Sequence, residues 1–483
     1  MYSEPMPEMN DEALKEFIAN LPYTYSVTAR AKEICDNFQK WEGKHVSVAG
    51  RVTAVRKAGK LLFIDVLDQS GKIQAYLEFG ELGEERFNVA KGFNAGDIIG
   101  VEGKVFKTTP GQISIKVDKY QQLAKAIRVL PDKWRGLQDV EMRYRKRYLD
   151  LILNPEVREI FAKRARIVSS IRKFLDSKGF MEVDTSIVHP IYGGASAKPF
   201  KTHVNTLNED RFLRIATELN LKRLIIGGLE RVYELGKTFR NEDADTTHNP
   251  EYTSLEWYAA YMDYEDNMKL EEELLEYVVK EVNNGSTEIT YQGKKINFKR
   301  PFKRIMFAES IKEKTGKDVL KMGDEELFKF AEGLGIKFLK GMRNRAHALD
   351  KVFEAVMEPQ LIQPTFVLDF PRETTPLARP KRGNPALVER FDLYVNGKEI
   401  GPCYSELQNP IIQKENFDAQ EKLLKAGDEE VPPRDMEFIE AMEYGMPPTS
   451  GLGMGVDRLT MLLTDKPSIK EVIFFPMEKR EKK

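Results

Sequence analysis

The alternation of apolar and polar positions changes character several times along the chain, and each change marks an element. Residues 11–41 place Leu14, Phe17 and Ile18 at helical spacing, break at Pro22 and resume as a helix from Ala29 to Trp41. Beyond residue 44 the period drops to two. HVSVAGRVTAV, KLLFIDVLD, KIQAYLEF, DIIGVEGKVF and GQISIKV read as short strands, separated by the turn signals AGK, QSGK, FNAGD and TTPG. A helical period returns over 155–178, where Ile160, Phe161, Val168, Ile171, Phe174 and Leu175 make one stripe. Gly179 stands where a C-terminal cap belongs. FMEVDTSIV follows as a strand closed by Pro190, then the Gly/Ala loop IYGGASAKPFKTH, then FLRIATELNLKRLIIGG as strand and helix with Glu218 near the junction. LERVYELGKTFR alternates as a strand, and after a polar loop with the turn signal Asn249-Pro250 the chain returns through Leu255, Tyr258 and Tyr261 as a strand or short helix. Residues 265–350 are helical and charged, interrupted by a hairpin at TEITYQGKKINF, and read as an insertion or flank without chemistry. PTFVLDFPRETTPLA and ERFDLYVNGKEIGPCYSEL return to strand character, and GLGMGVDRLTMLL is a glycine-alternating strand that opens an apolar helix.

Five strands in about 80 residues fit a small closed barrel of the oligonucleotide-binding type. At 483 residues the chain has room for about two to four domains. Its 41% hydrophobic and 31% charged residues describe a soluble protein able to bury sizeable cores. Cys35 and Cys403 are the only cysteines, too few for a disulfide framework, which points to a reducing, cytoplasmic setting. The acidic start MYSEPMPEMNDE has no apolar stretch of a signal peptide, and no apolar run approaches the ~18 residues of a membrane helix. With a net charge of −1, a nucleic-acid partner has to be met by local patches.

The densest chemistry lies in KTFRNEDADTTHNPEYTSLEWYAAYMDY, which sets Arg240, Glu242, His248 and Glu251 among Phe239 and Tyr252. Arginine for phosphate, an aromatic ring for a base and a carboxylate for an exocyclic amine suit a nucleotide. A charged hairpin laced by ion pairs fits the same residues. Phe63 and Gln74 on adjacent strands could offer a stacking face and an amide to an unpaired base, although for Phe63 taken alone a core position is the better reading. Residues 130–150 form a basic hinge with Arg143, Arg145, Lys146 and Arg147, either a phosphate contact or a solvated face. Asp392, Glu399 and Glu406 are spaced by seven. Odd spacing along one straight strand alternates faces, so bulges or a break near Gly401-Pro402 have to intervene for them to converge. Acids gathered beside a phosphate-binding arginine suit magnesium, a hard cation that takes oxygen ligands; scattered surface acids are the alternative. In GLGMGVDR, glycine at alternate strand positions lets another group approach the backbone, with Arg458 beside the opening, and a tightly packed structural strand serves equally.

Together these stretches resemble the class II aminoacyl-tRNA synthetases. KGFMEVDTSIVHP looks like the family's first motif, FRNE followed by HNPEY like its second, and GLGMGVDR like its third. The barrel ahead of the core places the chain in the subgroup of lysine, aspartate and asparagine enzymes. GLQDVEMRYRKRYLDL, GGASAKPFKTH, RIATELNLKRL through HNPEYTSLEWY, and MPPTSGLGMGVDR resemble the lysyl-tRNA synthetases over nearly the whole chain. An acid at Glu406 is also physically wrong for an aspartate pocket, since a buried unpaired charge costs several kcal/mol.

The resemblance implies an α+β architecture, with an antiparallel catalytic sheet flanked by helices behind a five-stranded barrel. The implied divisions are an N-terminal helical extension (1–41), an anticodon-binding barrel (42–129), a hinge (130–150) and a catalytic domain (151–483). It implies ATP-dependent activation of L-lysine, then transfer to the 3′ end of tRNA(Lys), by a magnesium-using homodimer. Carried residue by residue, Arg240 bridges the lysine carboxylate and the α-phosphate. Tyr252 and Arg458 sandwich the adenine, Glu242 accepts from its amine, and His248, Asn249 and Arg458 belong to the ATP site. Asp392 and Glu399 match the metal ligands. Gly194, Glu218, Arg240, Tyr258, Tyr404 and Glu406 form the lysine site, with Glu218 on the α-ammonium and Glu406 on the side-chain ammonium. Phe63 and Gln74 become anticodon contacts. Three positions depart from the family: Pro402 replaces a usual asparagine, Lys198 an arginine and Tyr252 a phenylalanine. An enzyme charging asparagine or aspartate, and a non-catalytic RNA-binding descendant, are the competing readings.

Overall fold

The computed structural model describes residues 10–131, 137–242, 244–338, 343–425 and 431–479. The chain divides into two compact units, Met1–Gln138 and Asp139–Lys483.

In the first unit, β1 (His45–Ala58), β2 (Leu61–Leu67), β3 (Lys72–Glu78), β4 (Ile98–Lys107) and β5 (Ile113–Ala124) close a barrel in the order β1-β2-β3-β5-β4. The period of two explains the closure: Leu62, Ile64 and Val66 of β2 and Ile73, Ala75 and Leu77 of β3 point inward and are almost fully buried. β4 crosses β5 closely at Gly103, where a Cβ would fall 1.9 Å from the Lys116 carbonyl oxygen. The helix read over 29–41 is split at Asn37 into Ala31–Asp36 and Phe38–Trp41. Ala31 and Ile34 enter the barrel's own core, so this segment packs on the barrel.

The second unit is built on eight strands: β6 (Met181–Glu182), β7 (Arg231–Phe239), β8 (Glu251–Ala260), β9 (Lys303–Met306), β10 (Thr365–Leu368), β11 (Arg390–Val395), β12 (Lys398–Ser405) and β13 (Thr449–Gly455). Their order is β9-β10-β11-β12-β13-β8-β7-β6, antiparallel except for the pairs β9/β10 and β6/β7. Helices α1 (Pro155–Ser177) and α3 (Tyr264–Val282) cover one face, burying Ile167, Ile171, Leu274 and Val278 against Trp257, Leu393 and Leu452. Trp257 Nε1 donates to Asn267 Oδ1 at 2.9 Å and Asn267 Nδ2 to Ser450 Oγ at 2.8 Å, which pairs the buried indole and amide. Asp263 caps α3 with a reciprocal capping box.

The structure revises or completes four expectations. FMEVDTSIV pairs only through Met181–Glu182 and Val188–His189, because its middle finds no strand neighbour among the described residues. The element returning through Leu255 is a strand, and Tyr261 lies beyond it at φ 63°. Of the hinge, residues 132–136 lie outside the described residues, and those from Val140 are helices Val140–Arg145 and Arg147–Leu153 of the second unit. There Arg147 is fully buried, pairing with Asp150 at 2.5 Å and donating to the carbonyls of Lys470, Ile473 and Phe474; Arg143 joins it on Asp150 at 2.9 Å. That is a structural ion cluster, with no free phosphate-binding face at Arg147. Finally, the spacing from Asp392 to Glu399 spans a hairpin turn at Asn396-Gly397, and the expected bulge is present beside Gly401: Leu393 pairs with Gly401 and Tyr394 with Glu399, which leaves Ile400 as the extra residue, while β12 continues through Pro402. The helices Phe307–Thr315, Asp324–Gly333 and Arg345–Val356 make a separate apolar cluster with Val367 and Tyr394 against the sheet's outer strands.

Candidate active site

The sheet face turned away from α1 and α3 floors a cavity of about 540 Å³. Strand alternation decides what lines it: Leu255, Trp257 and Ala259 of β8 go to the core, whereas Tyr252, Ser254, Glu256 and Tyr258 reach the cavity. Gly194, Glu218, Arg240, Glu242, His248, Asn249, Tyr252, Tyr258, Glu399, Tyr404 and Arg458 all stand on its wall. Residues from five separate stretches are thereby brought to one surface.

At one end, Arg240 terminates β7 with its guanidinium 5.4 Å from the centre of the Tyr252 ring. Its Nε reaches the Ile215 carbonyl only at 3.5 Å, and its terminal nitrogens have no hydrogen-bond partner among the described residues, so the fork is available to an anion. Glu242 accepts from the Lys198 backbone N–H at 2.9 Å and ties the Gly/Ala loop to this end. Arg458, at the start of helix α4 (Val456–Thr464), donates to the Glu399 carbonyl at 2.8 Å and lies 3.4 Å from His248 Nε2. Neighbouring Asp457 anchors that helix start, accepting from the Thr253 N–H at 2.7 Å and pairing with Arg164 of α1 at 2.5 Å. The Asn249 amide is spent within the protein, donating to the Glu251 carbonyl at 2.6 Å and accepting from the Met477 N–H at 3.2 Å.

At the other end lies a cluster of acids. Glu218 opens helix α2 (Glu218–Ile226); its Oε1 accepts from Lys222 Nζ at 2.5 Å and its Oε2 from the Tyr404 hydroxyl at 2.9 Å. Glu256 accepts from the Thr217 N–H at 3.0 Å, and burial pushes its carboxyl up to about 7. Glu406, just past β12, is fully buried and forms no part of the wall: it sits behind Gly451 and Tyr258, ion-paired through Oε2 to Lys222. Burial pushes Glu406 up to about 8 against the opposing pull of Lys222. Gly194 adopts φ +84°, and a Cβ there would come within 3.0 Å of Glu218 Cβ.

Asp392 is also off the wall. Arg390 grips both its oxygens at 2.8 and 2.7 Å, stacks at 4.2 Å on Phe370 and donates to Thr375 Oγ1 at 2.6 Å. Among the described residues no group of three or more His, Cys, Asp or Glu side chains forms a metal cage. Of the two acids on these adjacent strands, Glu399 stands on the cavity wall, and a single wall carboxylate fits a cation that takes one or two carboxylates and otherwise phosphate and water oxygens. In the barrel, Phe63 lies outside the apolar core and meets Tyr76 edge-on at 5.4 Å; Tyr76 meets Phe106 the same way at 5.4 Å. Gln74 shares this outward face and accepts from Ser114 Oγ at 3.0 Å.

Glu256, Lys222 and Arg390 were not legible as site residues in the chain. Glu256 has one trace, its position in the same strand face as Tyr252 and Tyr258; the other two carry none.

Residues 139–479 match the family of class II tRNA synthetases (D, K and N), and residues 46–123 the OB-fold nucleic acid binding domain. The chain therefore belongs to the class II tRNA synthetases, with an OB-fold unit ahead of the catalytic one. It is 49% identical over 453 residues to a lysine–tRNA ligase of Thermoanaerobacter pseudethanolicus, covering 94% of this chain and 90% of that one. It is 50% identical over 451 residues to the lysine–tRNA ligase of Carboxydothermus hydrogenoformans (93% and 92%), and 46% over 474 residues to that of Moorella thermoacetica (98% and 96%). Its place within the class is among the lysine–tRNA ligases, a family that uses ATP with a divalent metal to activate lysine and transfers the lysine to tRNA.

Proposed function

We propose that the cavity binds ATP and L-lysine side by side and carries out lysine–tRNA ligation with the residues on its wall. The observation that carries this reading is the convergence of Glu218, Glu256 and Glu406 with the rings of Tyr258 and Tyr404 at the acid end, facing the free guanidinium fork of Arg240. An acid-lined pocket with two aromatic walls fits a substrate bearing two ammonium groups, and it repels aspartate.

Arg240 holds the lysine carboxylate against the α-phosphate of ATP, in line for attack. No side-chain base is needed, because the carboxylate is already the nucleophile. Tyr252 and Arg458 flank the adenine, Glu242 accepts from its amine, and His248 and Arg458 meet the outer phosphates. For Asn249, whose amide is already engaged, the contribution is backbone and shape. Glu399, with Asp392 behind it, would hold magnesium, which would supply charge neutralisation at the pyrophosphate. Glu218 receives the α-ammonium and Glu406 the side-chain ammonium. Phe63 stacks on an anticodon base of tRNA(Lys) and Gln74 reads its edge.

Further parts of the reading concern the whole protein. Met181, Ile187, Val188 and Ile191 are exposed apolar side chains along the segment that supplies β6, and this favours a homodimer formed there. Two free cysteines, Cys403 buried, suit a reducing cytoplasm. Among the described residues no helix is long and apolar enough to cross a membrane. We assign the first unit, whose barrel lies within residues 42–129 and which includes the packed segment around Ala31 and Ile34, to anticodon binding, and the second unit, from Asp139 on, to catalysis.

Amino-acid-dependent ATP–pyrophosphate exchange with all twenty amino acids tests the assignment. Lysine alone is expected to support exchange, and Glu406→Gln to raise the lysine KM by about 30-fold or more, the size of losing one partner of a buried charge pair. Exchange with aspartate or asparagine instead would overturn the pocket. The pH dependence follows from Glu406. A carboxyl that burial pushes up is less fully ionised at pH 6 than at pH 8, and an ammonium binds its ionised form. The lysine KM is therefore expected to fall as pH rises from 6 to 8, by up to about tenfold per unit, and to level off above. A flat profile over that range would show that Glu406 does not gate lysine binding.

A further inference from the structure

Lys222 is a lysine inside the proposed lysine site. It lies one helical turn after Glu218 on α2 and is 2% exposed. Its ammonium contacts Glu218 Oε1 at 2.5 Å and Glu406 Oε2, and it sits 5.9 Å from the centre of the Tyr258 ring and 5.6 Å from that of Tyr404. Those are the two acids and two rings assigned above to the substrate. Yet Lys222 is not part of the cavity wall, so its ammonium reaches the acids from behind, through the protein. The remaining oxygen of Glu406, Oε1, has no hydrogen-bond partner among the described residues and points toward Gly451, a wall residue whose Cβ would fall 2.6 Å away.

We propose that Lys222 is a specificity-determining positioning residue, a built-in third ammonium that pairs with Glu218 and Glu406 from behind and so tunes the pocket for an amino acid with two ammonium groups. The inference rests on the assignment of Glu218 and Glu406 to the lysine site. Three buried acids converge there: Glu218, Glu256 and Glu406. Lys222 offsets one of their charges, and the α- and side-chain ammoniums of lysine offset the other two. Arg240 is left to the substrate carboxylate. An amino acid with a single ammonium leaves one buried acid uncompensated, which disfavours it. Lys222 also fixes aim: with Oε2 of Glu406 held from the protein side, Oε1 is the oxygen presented toward the cavity.

The groups facing Glu406 are Lys222 and Glu218 from α2, Glu256 and Tyr258 from β8, and Cys403 and Tyr404 from β12, with Arg390 acting on Tyr404. Lys222 is the cation that pairs with Glu406 directly, and its removal leaves a cluster of acids and hydroxyls that favours a protonated Glu406.

The test compares wild type, Lys222→Met, Lys222→Gln and Glu406→Gln by lysine-dependent ATP–pyrophosphate exchange from pH 6 to 9, together with their unfolding transitions. Lys222→Met is expected to raise the lysine KM at pH 7.5 by at least tenfold, with a far smaller change in kcat and in the ATP KM. Its lysine KM should still be falling beyond pH 8, where wild type has levelled, and Lys222→Gln should show the same displaced profile. A lysine KM within threefold of wild type with an unmoved profile would overturn the proposal. So would parallel losses in kcat and both KM values, or loss of the folded state in both variants, either of which would make Lys222 purely structural. If Glu406→Gln leaves the lysine KM unchanged, the pocket assignment itself fails, whatever Lys222 does.

Discussion

Arg240→Ala is expected to lower lysine-dependent ATP–pyrophosphate exchange by about two to three orders of magnitude, the loss that follows removal of a preorganised charge-stabilising donor. The structure gives the reason. Arg240 ends β7 at the mouth of the acid cluster and lies over the Tyr252 ring, with its terminal nitrogens uncommitted to the protein. Such a fork carries little stabilising duty in the free enzyme, so its removal is expected to leave the thermal unfolding midpoint close to that of wild type. The loss should fall on kcat more than on either KM if, as proposed, one guanidinium serves both reacting partners and aligns them. An exchange rate within tenfold of wild type would exclude Arg240 as the bridge between carboxylate and phosphate. Arg390 cannot take over, since Asp392, Thr375 and Phe370 already engage it.

Gly451→Ala is the second large effect, and its cause is steric. In β13, Gly451 is paired with Tyr258 on one side and Tyr404 on the other. A Cβ there would lie 2.0 Å from a Tyr258 ring carbon and 2.6 Å from Glu406 Oε1. Neither neighbour can yield cheaply, because both are buried and both belong to the proposed lysine site. We expect the variant to lose about 1–3 kcal/mol of stability, the usual cost of overpacking, and to raise the lysine KM by at least about 30-fold as Tyr258 and Glu406 are displaced. Gly453→Ala is the control: its nearest contact would be Glu256 Cγ at 3.7 Å, an ordinary van der Waals distance, so its stability should stay near that of wild type. Equal lysine KM values for Gly451→Ala and wild type would mean that the lysine side chain does not bind against this glycine. The alternation GLGMG is thus uneven in its consequences. Gly451 is required by the protein's own packing, while Gly453 and Gly455 leave the wall open toward the cavity.

Pro402 marks where this chain departs from the pattern it resembles. It lines the cavity between Ile400 and Tyr404, opposite Asp392, and the ladder from β12 to β13 begins one residue later at Cys403. A proline has no N–H for a ladder bond, and it is accommodated in an inner strand only where the pairing on one side has not begun. Its ring also offers the cavity no polar atom, so in the proposed site lysine recognition at this end would fall to Glu218, Glu256, Glu406 and the two tyrosines.

Local chemistry alone determined a good part of this protein. Period-two runs with glycine turns dictated five barrel strands, because a strand that buries one face has to alternate. The stripe from Ile160 to Leu175 dictated α1, and a β-rich run followed by a polar loop dictated β7 and grouped Arg240, Glu242, His248 and Tyr252 after it. These are interactions between residues close in the chain, and side-chain period reports them directly. Tertiary structure alone decided what has no local signature. FMEVDTSIV has strand composition but forms little strand, since composition cannot supply a neighbour to pair with. The spacing of Asp392, Glu399 and Glu406 by seven gives no face, because a hairpin turn lies within it. Phe63 reads as core in isolation and becomes outward-facing only when β2 is seated in a closed barrel beside Tyr76. Glu218 and Glu406 are far apart in the chain, and which acid reaches the cavity depends on which strand β12 pairs with. Lys222 looks like one surface cation of an amphipathic helix until the fold turns it inward onto two carboxylates. Burial and pairing are properties of the assembled sheet, and they made an acid-rich pocket out of residues whose positions in the chain show only their types.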